Sequence, residues 1–425
     1  MRIKLTIIGL LTVLSAIIVT STLLAKDCQK CHGNIKNLGK HRLINCKECH
    51  IYEENHYKID RQSFDYDICL KCHNKYKKIK DSLMVNRKKE KDIINHTFNE
   101  VDNNFYNKNC KKNCHISHCF DCHIFNKKIH DIGLPTNEKC VKCHRGYFVG
   151  IDYLGLAIRE DHERYKRGIK KDGLYYLKML PDVHYEKNIE CHQCHSMESF
   201  IKEKKYSKDC RDCHKKIDKT IVEHSINEHM EKMECYACHS AWTVNELGTF
   251  YIQFINSSVK KYYNSLNNIS NEYVKSSFLK DYYNLFLGLN SKGKYSPIRP
   301  EFIFFYTKIV NNTLIGDDNR LLGSYWKAFF PHTVRREVVL CDECHRNKKK
   351  YLLLEKEKRV YELKKDDIKI DSFFSQKDQQ IINGVFIDNN TYNQKIGVKN
   401  KYFINKYIEK WKKVEKFIES LKETY

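Results

Sequence analysis

Paired cysteines followed by a histidine are the residues whose spacing points to chemistry in this chain. All 20 cysteines fall into ten close pairs, and a histidine directly follows each pair. Nine pairs have the form Cys-x-x-Cys-His, whereas Cys110-Lys-Lys-Asn-Cys114-His115 has one residue more. The nine regular pairs are Cys28/Cys31, Cys46/Cys49, Cys69/Cys72, Cys119/Cys122, Cys140/Cys143, Cys191/Cys194, Cys210/Cys213, Cys235/Cys238 and Cys341/Cys344.

Cys-x-x-Cys-His is the attachment motif of c-type haem. The two thiols, one turn apart, add to the two vinyl groups on one side of a porphyrin, and the adjacent histidine becomes the proximal iron ligand. The spacing therefore predicts about ten covalently attached haems c, nine at the regular motifs and one at the longer Cys110/Cys114 motif. The predicted proximal ligands are His32, His50, His73, His115, His123, His144, His195, His214, His239 and His345.

Two other kinds of site use paired cysteines. Zinc ribbons do not require a histidine after every second cysteine, and disulfide-rich scaffolds are short and less uniformly spaced. Both therefore fit the nine regular motifs poorly. For Cys110 and Cys114 a disulfide or a metal site stays open as an alternative, although His115 in the expected place favours a haem.

Histidines outside the motifs are candidates for the distal iron ligands. Ten haems with two axial histidines each would need ten of the eleven remaining, whereas only six methionines exist, one of them at position 1. His192 lies inside its motif and His118 directly precedes one, so each is expected to bind a neighbouring haem. The candidates are His41, His56, His96, His118, His130, His162, His184, His192, His224, His229 and His332.

A formal charge of +23 at first suggests nucleic-acid binding. Two propionates per haem would add about −20 and leave about +3 with reduced irons, so much of the Lys and Arg is expected to pair with propionates. The composition therefore predicts no nucleic-acid partner.

The amino terminus resembles an export signal. Arg2 and Lys4 precede an uncharged run over residues 5–24, and Ala25 follows. A short basic start, an apolar stretch and nearby small residues are typical of a secretory signal peptide, with cleavage after Ala25 or Ser21. The run is also long enough to remain as a membrane anchor. Both alternatives predict a periplasmic body, because the basic residues stay inside.

Motif spacing divides the chain into segments. Residues 1–25 are the signal or anchor, 26–150 a six-haem module, and 151–239 a linker with a three-haem module. Residues 240–345 form an aromatic-rich lobe ending in the tenth haem, and 346–425 a helical tail. The lobe is expected either to cover haem edges or to form a vestibule for a substrate or partner.

The expected fold is mainly α with much irregular loop, organised around stacked haems. Helical spacing of Phe278, Tyr282 and Leu285 predicts a haem-free helical insertion, with an irregular connection at Pro297 and Pro300. Apolar residues at three- and four-residue steps after Lys401 predict a long amphipathic helix, expected to pack onto the haem domain rather than dock a partner or a membrane surface.

The ten motifs resemble those of multihaem c-type cytochromes from anaerobically respiring bacteria, over about residues 28–345. Pro300, Thr307, Trp326 and Pro331-His332-Thr333 before the last motif are similar to a group whose last haem is isolated. The resemblance implies a periplasmic electron carrier that receives electrons from a membrane quinol-oxidising module or a cytochrome. It would pass them to a reductase or an outer-membrane conduit.

Enzymes in the same superfamily reduce tetrathionate, nitrite or hydroxylamine. Some of them have a lysine in place of a proximal histidine or leave one iron open, and this sequence has no Cys-x-x-Cys-Lys. Electron relay through mostly bis-histidine haems is therefore the expected function, because closed iron has no position for a substrate. The alternative is a terminal reductase of a small nitrogen or sulfur oxyanion, with the Cys110/Cys114 haem as the open one.

Overall fold

The computed structural model describes residues 41, 48, 51–53, 56–58, 66–110, 116, 118–126, 131–144, 153–156, 165–171, 173–201, 207–281, 284–355, 358, 361–363, 368–370, 375–398 and 401–422. The predicted signal or anchor lies outside these residues, as do several residues predicted to bind haem. Those residues are Cys28, Cys31, His32, Cys46, Cys49, His50, Cys114, His115, His130 and His162. Within the described part of the chain, no helix combines the length and apolarity needed to cross a membrane.

The chain divides into two compact units. Unit 1 comprises residues 1–92, 112–143 and 190–208, and unit 2 comprises 93–111, 144–189 and 209–425. Unit 1 consists of short helical turns and two small antiparallel hairpins. Its helices are Tyr66–Leu70, Asn74–Asp81, Leu83–Asn86, Cys119–Asp121, Asn137–Val141, Cys191–Cys194 and Met197–Ile201, and its strands are Ile51–Glu53, His56–Lys58, Ile124–Asn126 and Asp131–Gly133.

Unit 2 is built around an eight-stranded mixed sheet. Its strands in chain order are β1 (Asn245–Ile255), β2 (Asn267–Asn268), β3 (Tyr273–Asp281), β4 (Phe286–Asn290), β5 (Tyr295–Val310), β6 (Thr313–Ala328), β7 (Gln380–Ile381) and β8 (Gly384–Val385). The hydrogen-bonded order is β7-β6-β5-β1-β3-β2, and β4 pairs with β5 and β8. The β5/β1 and β6/β7 pairs are parallel.

Short helices and two smaller sheets complete unit 2. The strands are Tyr153–Leu156, Tyr165–Lys171 and Leu174–Met179 in one sheet and Tyr361–Leu363 and Ile368–Ile370 in the other. The helices are Phe105–Asn109, Val183–Glu186, Cys210–Cys213, Glu223–Ser225, Asn227–Lys232, Cys235–His239, Ser258–Tyr263, Cys341–His345, Lys348–Tyr351, Asn389–Thr391, Tyr392–Ile396 and Lys401–Lys422. The helix Lys88–Phe98 begins in unit 1 and ends in unit 2.

The sheet shows that the expected mainly α fold with a helical insertion is wrong. Phe278, which suggested a helix, lies in β3, where the register against β1 shifts after Ser276. Aromatic and β-branched residues fit a pleated surface well, so an aromatic-rich segment can satisfy a local helical spacing and still form strands. Pro297 and Pro300, expected in an irregular connection, lie inside β5, and the register against β6 shifts directly after Pro300. A proline is tolerated at such a bulge because the ladder is already interrupted there.

The two faces of the sheet form separate aromatic cores. On one face the rings of Phe250 and Phe305 stack with centroids 4.7 Å apart. On the other, Tyr251 and Phe304 lie 5.8 Å apart and are covered by Phe98. Neighbouring residues in sequence thus enter opposite cores, which is the two-residue period of a strand. The sheet therefore gives unit 2 an apolar core on each of its faces.

The carboxy-terminal helix, Lys401–Lys422, is present where the sequence predicts it. Its Trp411 and Ile418 are 56% and 48% exposed, so the expected core packing is wrong for these two side chains. Lys410 Nζ lies 3.8 Å from Glu223 Oε2. Part of the helix therefore lies beside the segment between the motifs that begin at Cys210 and Cys235.

Trp326→Ala should lower the free energy of unfolding by about 3–5 kcal/mol, because it removes a large buried side chain from the sheet core. Trp326 is 0% exposed, whereas Trp411 is 56% exposed. The matched Trp411→Ala change should therefore stay within about 0.5 kcal/mol of the original protein. Urea unfolding followed by far-UV circular dichroism measures both, and equal losses would contradict this account of the core.

Candidate functional site

A single helical turn shapes the described motifs. The histidine backbone N–H donates to the carbonyl oxygen of the first cysteine of its own motif at 2.9 Å in His73, His123, His195 and His214. Residues three and four positions apart lie on one face of a helix, so the turn places both sulfurs and the imidazole on the same side. The fifteen cysteines that the structure describes are all free thiols.

Three of the predicted thioether sites differ from the others in their exposure. The second cysteines Cys72, Cys143 and Cys213 are exposed, whereas the other described cysteines are half-buried. Burial raises the pKa of the second cysteine Cys238, by contrast, to about 12. The short turns explain the exposure, because a helix such as Asn137–Val141 buries none of its side chains. A haem at Cys72, Cys143 or Cys213 would therefore be held chiefly by its covalent bonds.

Side-chain oxygen atoms accept hydrogen bonds from backbone N–H groups at the start of two motif turns. The Asp209 carboxylate accepts a hydrogen bond from the backbone N–H of Arg211 at 3.1 Å and so caps the turn that starts at Cys210. At the turn starting at Cys191, the Asn137 amide oxygen accepts from the Cys191 backbone N–H at 2.8 Å. These acceptors satisfy N–H groups that a short helix cannot satisfy internally.

Four motif histidines lie opposite a histidine from outside the motifs. The ring centroids are 6.0 Å apart in three pairs and 6.1 Å in the fourth. The partners come together from 15 residues apart in the chain (His224 and His239) to 116 residues apart (His229 and His345). The pairs are His73 with His41, His214 with His184, His239 with His224, and His345 with His229.

This spacing fits a metal ion between each pair of rings. An imidazole nitrogen binds a first-row metal at about 2.0–2.1 Å, so two imidazoles on opposite sides of one ion have centroids about 6.3 Å apart. Edge-to-face aromatic packing also spans this distance. The composition of the pairs favours the metal, because each joins a motif histidine to a predicted distal candidate.

The second ring nitrogen of most paired histidines is held by an oxygen acceptor in unit 2. The Nδ1 atom of His184 lies 2.8 Å from Asp182 Oδ1, and that of His224 lies 3.2 Å from the Asp218 carbonyl oxygen. His239 Nδ1 lies 3.2 Å from the Arg335 carbonyl oxygen, and His345 Nδ1 contacts the carbonyl of Ile396. A proton on Nδ1 leaves Nε2 to bind a metal, and metal-binding histidines typically have such acceptors.

Two motif histidines of unit 1 have similar acceptors. His123 Nδ1 lies 3.1 Å from the Gly133 carbonyl oxygen. His195 Nδ1 lies 3.1 Å from the hydroxyl oxygen of Ser207. Both contacts leave Nε2 for the predicted proximal iron, as in unit 2.

The pKa values of three predicted ligands are shifted, in two directions. Burial lowers the pKa of His229 and His239 below the usual range, whereas His144 is exposed. A neutral imidazole is the form that binds metal. The pKa of His184 is instead raised, chiefly by its hydrogen bond to Asp182.

First cysteines of different motifs meet in pairs. The thiols of Cys210 and Cys235 are hydrogen-bonded, which lowers the pKa of Cys235 to about 6. The other two thiol pairs lie within unit 1 and are Cys69 with Cys119 and Cys140 with Cys191. The fold therefore brings the attachment points of two motifs together at three places.

Other predicted ligands lie in separate surroundings. His96 is exposed on the helix Lys88–Phe98, and the side chain of His56 lies outside the description. His118 Nε2 is 3.4 Å from Asp121 Oδ1, and His192 Nδ1 is 3.1 Å from Glu190 Oε2. His332 has a φ of 56° and its Nδ1 lies 2.9 Å from the Phe330 carbonyl.

The irregular tenth motif is described only at its first thiol. Cys110 ends the helix Phe105–Asn109 and packs against the aromatic core around Phe98.

Sequence reasoning missed Asp182 and its contacts with Val334 and Arg335. Asp182 is 3% exposed and accepts from both His184 and the Val334 backbone. An aspartate two residues before a candidate distal histidine was the available signal, because aspartate often caps helices and holds a ligand imidazole. Its link to Val334 spans 152 residues and has no local pattern.

Comparison with known protein families, with curated proteins and with solved structures finds no match for this chain.

Proposed function

We propose that this protein is an exported multihaem cytochrome c that relays electrons in anaerobic respiration through mostly bis-histidine haems. The observation that carries the proposal is the set of four histidine pairs, in each of which a motif histidine faces a non-motif histidine at 6.0–6.1 Å. The pair of His41 and His73 lies in unit 1, and the other three lie in unit 2. The Cys-x-x-Cys-His spacing supports the proposal independently.

The residues have distinct roles in this proposal. The paired cysteines hold each cofactor covalently, and the following histidine supplies one axial nitrogen. His41, His184, His224 and His229 would supply a second imidazole nitrogen to the iron at four sites. Haem iron, when bound, supplies a one-electron couple between its ferric and ferrous states. Two histidines that close both axial positions leave no place for a substrate, which favours relay over catalysis.

The proposed partners are other redox proteins outside the cytoplasm. The basic start and the apolar run over residues 5–24 support export to the periplasm, with either cleavage or retention as an anchor. The resemblance to multihaem cytochromes supports a quinol-oxidising membrane module or a cytochrome as electron donor. A reductase or an outer-membrane conduit is the proposed acceptor.

The mass of the purified protein should exceed that of its polypeptide by ten haems, nine if the Cys110/Cys114 motif is not used. Expression in a host that attaches haem c, followed by denaturing mass spectrometry and a haem stain, measures this number and the position of the mature amino terminus. A colourless protein with twenty free thiols would overturn the proposal.

His229→Ala should convert one of about ten low-spin haem sites to a high-spin site that binds cyanide, because His345 then lacks its second imidazole. Electron paramagnetic resonance of the oxidised protein and a cyanide titration measure the change. Glu228→Ala, on the same helix Asn227–Lys232, is the matched control and should keep the original spectrum. An unchanged spectrum in His229→Ala would refute the assignment of this pair.

The same spectra separate relay from the reductase alternative. The unaltered protein should be entirely low-spin and indifferent to cyanide and nitrite. A high-spin signal in the unaltered protein would instead favour the terminal reductase.

A further inference from the structure

Asp182 is a buried aspartate whose carboxylate accepts three hydrogen bonds. Oδ1 accepts from the backbone N–H of His184 at 2.8 Å and from its Nδ1 at 2.8 Å. Oδ2 accepts from the backbone N–H of Val334 at 2.8 Å. Three hydrogen-bond donors on one buried carboxylate favour its charged form. This charge lies beside a histidine that faces His214.

The backbone around Asp182 is fixed from both sides. The N–H of Val183 donates to the carbonyl oxygen of Val334 at 2.9 Å. The Arg335 guanidinium donates to the Pro181 carbonyl oxygen at 3.0 Å. Asp182 thus has little freedom to turn away from His184, and the imidazole is held in one orientation.

The charge of this acceptor distinguishes the His184–His214 pair from two others in unit 2. In the pairs containing His239 and His345, Nδ1 contacts a neutral backbone carbonyl of Arg335 or Ile396. His224 likewise contacts the backbone carbonyl of Asp218, not its carboxylate. A charged acceptor withdraws the Nδ1 proton more strongly than a neutral one and makes the imidazole a better electron donor to a metal.

We propose, on the basis of the function proposed above, that Asp182 is a positioning residue that gives the His184–His214 site the lowest reduction potential of the three pairs in unit 2. A more basic imidazole and a nearby buried negative charge both stabilise the ferric over the ferrous state. The step affected is the gain of one electron by iron from a partner protein, and no bond forms or breaks. This site is then the last of the three to be reduced and the first to be reoxidised.

The test replaces the charge and retains the shape. Asp182→Asn keeps an oxygen that can accept from His184, and Asp182→Ser keeps the capping acceptor for its backbone. Both variants should make the reduction of one haem about tenfold more favourable at equilibrium. For a one-electron couple this is a positive shift of about 59 mV in its reduction potential. Spectroelectrochemical titration measures the potentials, and electron paramagnetic resonance follows the low-spin signal of that site.

Glu231→Gln is the matched control, because it also removes a carboxylate two residues from a paired histidine, His229. Glu231 is exposed on the helix Asn227–Lys232, so the surrounding solvent screens its charge. This control should leave the titration unchanged.

Three results would overturn the inference, and they are distinguishable. Full haem content with unchanged potentials in both Asp182 variants would reject the role of Asp182 and leave the proposed function intact. Loss of one haem in both variants would make Asp182 only a structural support for the site. An unaltered protein that carries no covalent haem would reject the proposed function and this inference together.

Discussion

The hydrogen bonds made by residues 333–335 are the constraint on which the candidate sites in unit 2 depend. Val334 binds Asp182, the Arg335 carbonyl receives His239 Nδ1, and the Ala241 backbone N–H donates to the Thr333 carbonyl at 2.9 Å. Residues 333–335 thereby fix Asp182, which contacts His184, and also the motif histidine His239. These residues follow β6 in the chain, and Trp242, buried at 0% exposure, binds the same stretch. The positions of two imidazoles therefore depend on the segment that follows β6 in the chain.

The sheet also explains how a chain with so many attachment motifs acquires a rigid frame. The motif turns are four or five residues long in unit 2 and bury few side chains of their own. Helices of this length are not stable alone, because nucleation costs more than so few hydrogen bonds return. Phe250, Phe305 and Trp326 instead belong to a cluster of buried apolar side chains. The turn Cys235–His239 contacts a third cluster through Ala237, together with Tyr351 and Tyr392.

How much the sequence could predict depended on the range of each interaction. The motif turns and the helix Lys401–Lys422 follow from spacing within a few residues, and both are present. The sheet does not follow, because the aromatic spacing around Phe278 is compatible with either period and the strands that pair with β3 are β1 and β2. The histidine partners could be named as candidates but not matched, since His229 and His345 meet across 116 residues. Asp182 escaped for the same reason, because its second hydrogen bond comes from Val334.

The contacts between motifs suggest an order for the sites of unit 2. The thiols of Cys210 and Cys235 are in contact, and Cys238 lies close enough to Cys344 for the two thiols to interact electrostatically. The motifs at 210, 235 and 341 therefore follow one another in space as they do in sequence. Asp182 stands beside the distal partner of the first of these, whereas the other two have neutral acceptors on their motif histidines. A negative charge at one end of a row of otherwise similar sites favours the oxidised state there. Within the proposed function, transfer of an electron from the motif at 210 to the neighbouring motif at 235 would then be favourable, because it leads to a site without this negative charge.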